Sequence, residues 1–227
     1  MTTLGFAILA YLLGSIPFAV VASRLFGLAD PRSYGSGNPG ATNVLRSGNK
    51  LAAVLTLLGD AAKGWLAVFL VQQFGPAYGA QPQDAAIAGF AAFFGHLHPV
   101  FLNFKGGKGV ATAAGVMFGF SLWLGLAVLA VWGGIVWFFR YSSLGAIAAA
   151  ISAPIIALAL LGSGDMLTAV FCIALLLYWR HSDNLQRIRA GTEPKIGKKK
   201  KDVMLKTSAK WTMSACVMIA ILRVQAS

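Results

Sequence analysis

The sequence predicts an all-α fold: a polytopic membrane helical bundle of seven transmembrane helices, with the N-terminus outside and the main C-terminal motif cytoplasmic. Three observations predict it. Apolar residues make up 57% of the 227 residues and charged residues only 11%, against roughly 25% charged in a soluble domain, and the mean hydropathy is +0.71. The apolar residues gather into runs of transmembrane length. The basic excess, 19 Lys and Arg against 7 Asp and Glu for a net charge of +12, falls in alternate connections between those runs. In a soluble chain that charge would suggest nucleic acid. In a membrane chain it belongs to cytoplasmic loops, and no nucleic-acid partner is expected.

Residues 4–23 read as the first span. It is not a cleaved signal, since no basic residue precedes it; Arg24 and Arg32 follow it and place the next loop inside. Residues 51–71 form the second span and 72–84 an outside connection free of Lys and Arg. Residues 85–102 return to the inside, where Lys105 and Lys108 stand. The uncharged run 110–139 is longer than an ordinary span. Tilt would accommodate it as one helix, but parity requires it to cross twice or not at all. The spans 144–161 and 166–179, joined by a turn at 162–165, lead to Arg180, Arg187, Arg189, Lys195 and the lysines 198–201, which belong inside. A break near 119–125 gives a short helix of only about 16–20 Å, and seven helices, with six or five as the alternatives. Cys172 and Cys216 lie in apolar stretches and are expected to pack as small hydrophobes. Asp60 and Lys63 fall inside the second span, three residues apart and so on one helical face. They are expected to form a structural ion pair facing the bundle interior, although intramembrane charges are also functional candidates.

The loops assigned to the inside carry the chemistry. The first contains Gly35, Gly37 and Gly40 in a G-x-G-x-x-G pattern. It follows a membrane helix, not a strand, so it is no dinucleotide fingerprint. Its glycines still let backbone N–H groups converge on an anion. Ser36, Asn38, Thr42 and Asn43 add polar donors, and Arg46 adds a fork suited to phosphate. The second loop has Lys105, Gly106, Gly107 and Lys108 at a helix start, again suited to an anion. A Walker A reading fails, because Leu102 stands at the first glycine position and Gly109 at the Ser/Thr position, so no nucleotide is implied. His96 and His98 lack further ligands nearby, and no metal is expected. The third loop offers His181 and Asn184 on one face if the helix continues, with Arg187 extending it. No loop has a catalytic carboxylate pair or a thiolate, so positioning of two bound substrates is the simpler expectation.

The segments 35–46 (GSGNPGATNVLR), 95–112 (GHLHPVFLNFKGGKGVAT) and 181–193 (HSDNLQRIRAGTE) resemble the three motifs of the bacterial acyl-phosphate:glycerol-3-phosphate acyltransferases, over about residues 4–197. The resemblance implies a seven-helix bundle with all motifs cytoplasmic in the bacterial inner membrane. It implies transfer of a fatty acyl group from acyl phosphate to the 1-hydroxyl of glycerol 3-phosphate, without acyl-CoA or acyl carrier protein. Carried over residue by residue, it implies catalytic roles for Ser36, Arg46, Lys105, His181 and Asn184. The loop chemistry adds substrate contacts from Gly37, Asn38, Gly40, Thr42, Asn43, Gly106, Gly107, Lys108 and Arg187; the resemblance adds a serine after the fifth helix, Ser142 or Ser143 with Ser143 favoured, and implies a structural role for Glu193. The substrates are the expected partners, together with membrane lipids; neither a cofactor nor a nucleotide is expected. Residues 1–197 are thus expected to be one acyltransferase domain. Residues 198–227 depart from the pattern as a basic tail, with a short interfacial helix near 211–222 or little order. A transporter of phosphorylated solutes is the rival, but it would hold its anion-binding residues near the bilayer midplane. A lipid-binding scaffold would need the basic patches without the dense polar set from Ser36 to Arg46.

Overall fold

The computed structural model describes residues 3–196; the expected tail helix and Cys216 lie outside the described residues. Residues Met1–Glu193 form one compact unit. Among the described residues every regular element is helical, with ten α-helices and short 3-10 turns. Five segments are long and apolar enough to cross a membrane: Thr3–Leu25, Lys50–Tyr78, Pro82–Leu102, Leu122–Phe139 and Ser142–Leu161.

The first span is not one helix. It divides into α1 (Thr3–Gly14) and α2 (Phe18–Leu25). Pro17 is the cause, since it has no N–H to continue the ladder and restricts the residue before it. After the loop that holds the short α3 (Ala41–Val44), α4 (Lys50–Phe74) starts at Asn49, whose side chain accepts from the Ala52 N–H at 3.0 Å. Helix α5 (Pro82–Leu97) starts at a capping box in which the Gln81 N–H donates to Asp84 Oδ2 at 2.8 Å.

The long run 110–139 is two helices, α6 (Val110–Phe120) and α7 (Leu122–Phe139), separated by an extended Ser121 inside the expected window. With 11 residues, α6 rises only about 16 Å. Arg140, with φ 62°, turns the chain into α8 (Ser142–Leu161). After the turn at 162–164, α9 (Asp165–Arg180) bends at His181 into α10 (Ser182–Arg189).

Lipid tails are as apolar as leucine, so membrane helices gain from close backbone approach more than from hydrophobicity. Glycines supply that approach here. A Cβ on Gly14 would lie 2.0 Å from the Ala92 carbonyl oxygen, joining α1 to α5. One on Gly115 would lie 1.9 Å from the Ala61 oxygen, joining α6 to α4. Phe93, Leu97, Met117 and Leu124 fill the core between these contacts. The outward face stays apolar: Trp137 and Phe138 near the end of α7 are 82% and 80% exposed.

The expected ion pair inside α4 is present. Lys63 Nζ lies 2.9 Å from Asp60 Oδ1, both side chains are buried, and Lys63 also donates to the Ile16 carbonyl at 2.7 Å. The ammonium therefore caps a backbone oxygen at the α1–α2 break. His96 joins the pair, with Nδ1 3.4 Å from the same Asp60 oxygen.

Overpacking a close helix contact costs about 1–3 kcal/mol, so Gly115→Ala should lower the thermal midpoint in detergent. Gly133→Ala should not, because nothing lies within 4 Å of its Cβ position. Equal midpoints for the two variants would show that the α4–α6 approach is not tight.

Candidate functional site at one end of the bundle

The three glycine-rich and basic loops meet at one end of the bundle. The first is shaped from beneath by Asn43, which is 1% exposed. Its Nδ2 donates to the Pro31 and Tyr34 carbonyls at 2.6 and 3.1 Å, while its Oδ1 accepts from the Ser36 N–H at 3.0 Å and from Arg46 Nη1 at 3.3 Å. Gly35 and Gly37, with φ 62° and 68°, make the turns that this wrapping requires. The loop then enters α3 through Gly40, which sits at its N-cap position.

The second loop is pinned to the end of α5. The Gly106 and Gly107 N–H groups donate to the Leu97 and His96 carbonyls at 3.1 and 3.2 Å. Two non-glycine residues, Asn103 and Phe104, take left-handed φ values of 50° and 61° to turn the chain back, a conformation that stores strain. Arg180 at the end of α9 closes the far side, its Nη2 donating to the Gly106 and Gly107 carbonyls at 3.2 and 3.1 Å.

The third loop is organised by Glu193. Its Oε1 accepts from Ser143 Oγ and Asn184 Nδ2, each at 2.6 Å, and its Oε2 accepts from Arg187 Nε at 2.8 Å. This ties the start of α8 to α10. Burial opposes ionisation of Glu193, but the hydrogen bonds from Ser143, Asn184 and Arg187 outweigh it and hold the carboxyl below its usual range. Asn184 passes the connection on, because its Oδ1 accepts from Lys108 Nζ.

Between the loops lies a cavity of about 290 Å³. Ser36, Gly37 and Asn38 line it from the first loop, Gly106 and Lys108 from the second, and Trp179, Arg180, Ser182 and Asp183 from the third. Its electrostatics favour an anion. Burial is the main cause that lowers the Lys108 ammonium to about 8, and the Arg187 and Arg180 charges lower it further against the pull of Glu193 and Asp183. The Arg180 Nε is buried without a hydrogen-bond partner. His181 is lowered to about 4, chiefly by burial. Its Nδ1 lies 2.8 Å from the Leu177 carbonyl, which can only accept, so the neutral ring carries its proton there and Nε2 is the basic nitrogen.

Of the residues singled out from the sequence, Ser36, Gly37, Asn38, Gly106 and Lys108 stand on the cavity wall. Asn184 and His181 are buried next to it, although α9 ends at Arg180 and the two sit across a bend. Asn43 lies beneath the first loop, and Gly107 is buried against His96. Thr42 faces Ser142 across 3.5 Å, Ser143 and Arg187 hold Glu193, and Arg46 and Lys105 are exposed outside the cavity lining. Arg180 and the His96 partner of the ion pair were not foreseen as site residues. In the sequence Arg180 reads only as a positive-inside mark, and nothing local predicts that its guanidinium returns to the second loop.

The arrangement defines an integral membrane bundle with a cationic cavity at one end. A family model for glycerol-3-phosphate acyltransferase matches residues 4–191. A glycerol-3-phosphate acyltransferase from Ralstonia nicotianae is 58% identical over 201 residues, covering 88% of this chain and 97% of that one. One from Cupriavidus necator is 57% identical, covering 88% of this chain and all of its own length. Among solved structures, the crystal structure of PlsY (YgiH), an integral membrane glycerol 3-phosphate acyltransferase, matches in its glycerol 3-phosphate form. The TM-score is 0.80 at 40% identity, over 87% of this chain and 96% of that one. Its lysophosphatidic acid form gives 0.78 at 39% identity, with the same coverage. The chain belongs to the glycerol-3-phosphate acyltransferase family. It is a multi-pass membrane enzyme of that family.

Glu193→Gln removes the charge from the hub and should cost about 1–2 kcal/mol at neutral pH. The folded-state pKa lies below the unfolded one, so the loss should be complete above the usual carboxylate range and vanish as pH falls through the folded value. Thermal unfolding of both proteins across that range measures it; a difference that grows on acidification would contradict the hub.

Proposed function

We propose that this protein transfers a fatty acyl group from acyl phosphate to the 1-hydroxyl of sn-glycerol 3-phosphate, yielding lysophosphatidic acid and inorganic phosphate in the first step of phospholipid synthesis. The observation that carries the reading is the convergence of Lys108, Arg180 and the glycine-rich loops on one cavity. The glycerol 3-phosphate and lysophosphatidic acid forms of the structural relative support the acceptor and the product. Acyl phosphate is a mixed anhydride with an activated carbonyl. It suits a site built for holding phosphates, where neither a thiolate nor a carboxylate pair lines the cavity.

The chemistry then needs positioning and charge. The glycerol hydroxyl forms its bond to the acyl carbonyl carbon, the bond from that carbon to the phosphate oxygen breaks, and phosphate leaves with the electron pair. Lys108 and Arg180 hold phosphate in the cavity, and Arg46 and Lys105 serve it from the rim. Ser36, Gly37, Asn38 and Gly106 orient it. Asn184 aims the Lys108 ammonium, while Glu193, Asp60 and Lys63 are structural. The hydroxyl proton passes to a substrate phosphate. His181 is the rival acceptor, but its lowering to about 4 makes it a weak base. His181→Gln decides between them: near-normal turnover would exclude His181 as the base, and loss of most turnover with intact glycerol 3-phosphate binding would favour it.

The same reading gives seven crossings with the N-terminus outside, α6 and α9 being the two that fall short of full span length. The site then lies on the cytoplasmic face of the bacterial inner membrane. The connections opposite the site, 75–81 and 162–164, contain no Lys or Arg, which supports that orientation. Residues 1–197 then make up the acyltransferase domain, and 198–227 a basic tail.

Purified protein in detergent or lipid mesophase, given palmitoyl phosphate and glycerol 3-phosphate, should release phosphate, and Arg46→Ala should lose about 100-fold or more. No release, with Arg46→Ala indistinguishable from wild type, would end the proposal. Lys108 must be charged to hold phosphate, so kcat/KM should fall as pH rises through about 8. Lys108→Arg, always protonated, should move that limb upward. An unmoved limb would assign it to another group.

A further inference from the structure

We propose that His96, set beside the Asp60–Lys63 ion pair, is a positioning residue that sets the distance between the first and second loops and so the fit of glycerol 3-phosphate. This rests on the function proposed above and extends it to a charge cluster inside the bundle.

The cluster sits directly beneath the loops. A small cleft joins Asp60, Lys63 and His96 to Pro39 of the first loop and to Gly106 and Gly107 of the second. Gly107 is the point of contact. A Cβ there would meet His96 Nε2 at 2.3 Å and the Pro39 carbonyl oxygen at 3.2 Å, so the Gly107 backbone is enclosed between the imidazole and the first loop. The His96 carbonyl also accepts the Gly107 N–H at 3.2 Å. His96 thus fixes Gly107 twice, by its backbone and by its ring.

The ring is fixed in turn. Asp60 Oδ1 lies 3.4 Å from His96 Nδ1 and 2.9 Å from Lys63 Nζ, and Lys63 reaches the Ile16 carbonyl at 2.7 Å. The imidazole is therefore referenced to α4 and to the α1–α2 break. On the far side Arg180 holds the Gly106 and Gly107 carbonyls. The second loop is clamped between an ion pair inside the bundle and a guanidinium at its end. Ser36, Gly37 and Asn38 face Gly106 and Lys108 across the cavity, so displacement of Gly107 away from Pro39 changes the cavity width. A buried charge pair that only stabilised the helices would not need a ring pressed against the second loop.

The test compares His96→Ala, His96→Gln, Gly107→Ala and the double variant His96→Ala/Gly107→Ala, in the full chain. Two readouts are used: phosphate release from palmitoyl phosphate with glycerol 3-phosphate, and calorimetric affinity for glycerol 3-phosphate. Loss of the ring should raise KM for glycerol 3-phosphate about 10-fold or more, with a smaller change in kcat. His96→Gln, which keeps a donor for Asp60, should recover part of it. Gly107→Ala should be impaired because its methyl meets the ring, and removing the ring should relieve that clash, so the double variant should outperform Gly107→Ala. Additive losses in the double variant, or a wild-type KM and affinity in His96→Ala, would overturn the proposal. If His96→Ala does not fold, an unimpaired Gly107→Ala overturns it and a KM defect that His96→Gln shares in milder form supports it. A wild-type protein that releases no phosphate overturns the acyltransfer reading alone, since the affinities still decide the role of His96.

Discussion

Lys108, Arg180 and Arg187 are held close together at one end of the bundle, and their repulsion is the constraint around which the site is organised. Like charges in a partly dry cavity raise each other's energy until an anion arrives. Burial is the main cause that lowers Lys108 to about 8, and the Arg187 and Arg180 charges add to the fall. The Glu193 carboxylate does not relieve it fully, because it is committed to Ser143, Asn184 and Arg187. Lys108 is steered by an amide oxygen, which directs the ammonium without neutralising it. The cavity thus keeps more positive than negative charge around it, Lys108 and Arg180 against Asp183 on its wall, and is preorganised for an anion.

That arrangement depends on helices that cannot slide. Gly14 against Ala92 and Gly115 against Ala61 bring α1, α5, α6 and α4 to backbone contact. The ion pair of Asp60 and Lys63 then uses the carbonyl of Ile16 at the proline break, so a defect in the first span becomes an anchor. Breaks are where this fold does its positioning: Pro17, Ser121, Arg140 and His181 each redirect a helix.

Much of this was legible in the sequence because lipid imposes strong rules. Charge parity asked the run 110–139 to cross twice or not at all, the double crossing placed a break near 119–125, and a break does fall at Ser121. The i,i+3 spacing of Asp60 and Lys63 foretold their pairing. The anion-seeking character of Ser36 to Asn38 and of Gly106 and Lys108 followed from glycine density and basic charge, and these residues do share one cavity. Illegible were contacts between segments far apart in the chain. Arg180 reaching the Gly106 and Gly107 carbonyls, and His96 lying against Gly107, depend on how α5 and α9 pack. The inward turn of Asn43 was hidden for another reason: its amide satisfies loop backbone groups that only the folded loop brings together.

If the cavity is preorganised for phosphate, binding must raise the Lys108 pKa, and binding at pH slightly above 8 must take up protons. Calorimetric titration of glycerol 3-phosphate into the wild-type protein, in two buffers of different ionisation enthalpy, measures the proton count directly. Net uptake that disappears in Lys108→Arg is the expected result. Proton release, or binding without any proton linkage, would contradict the picture of a charged cavity awaiting its anion.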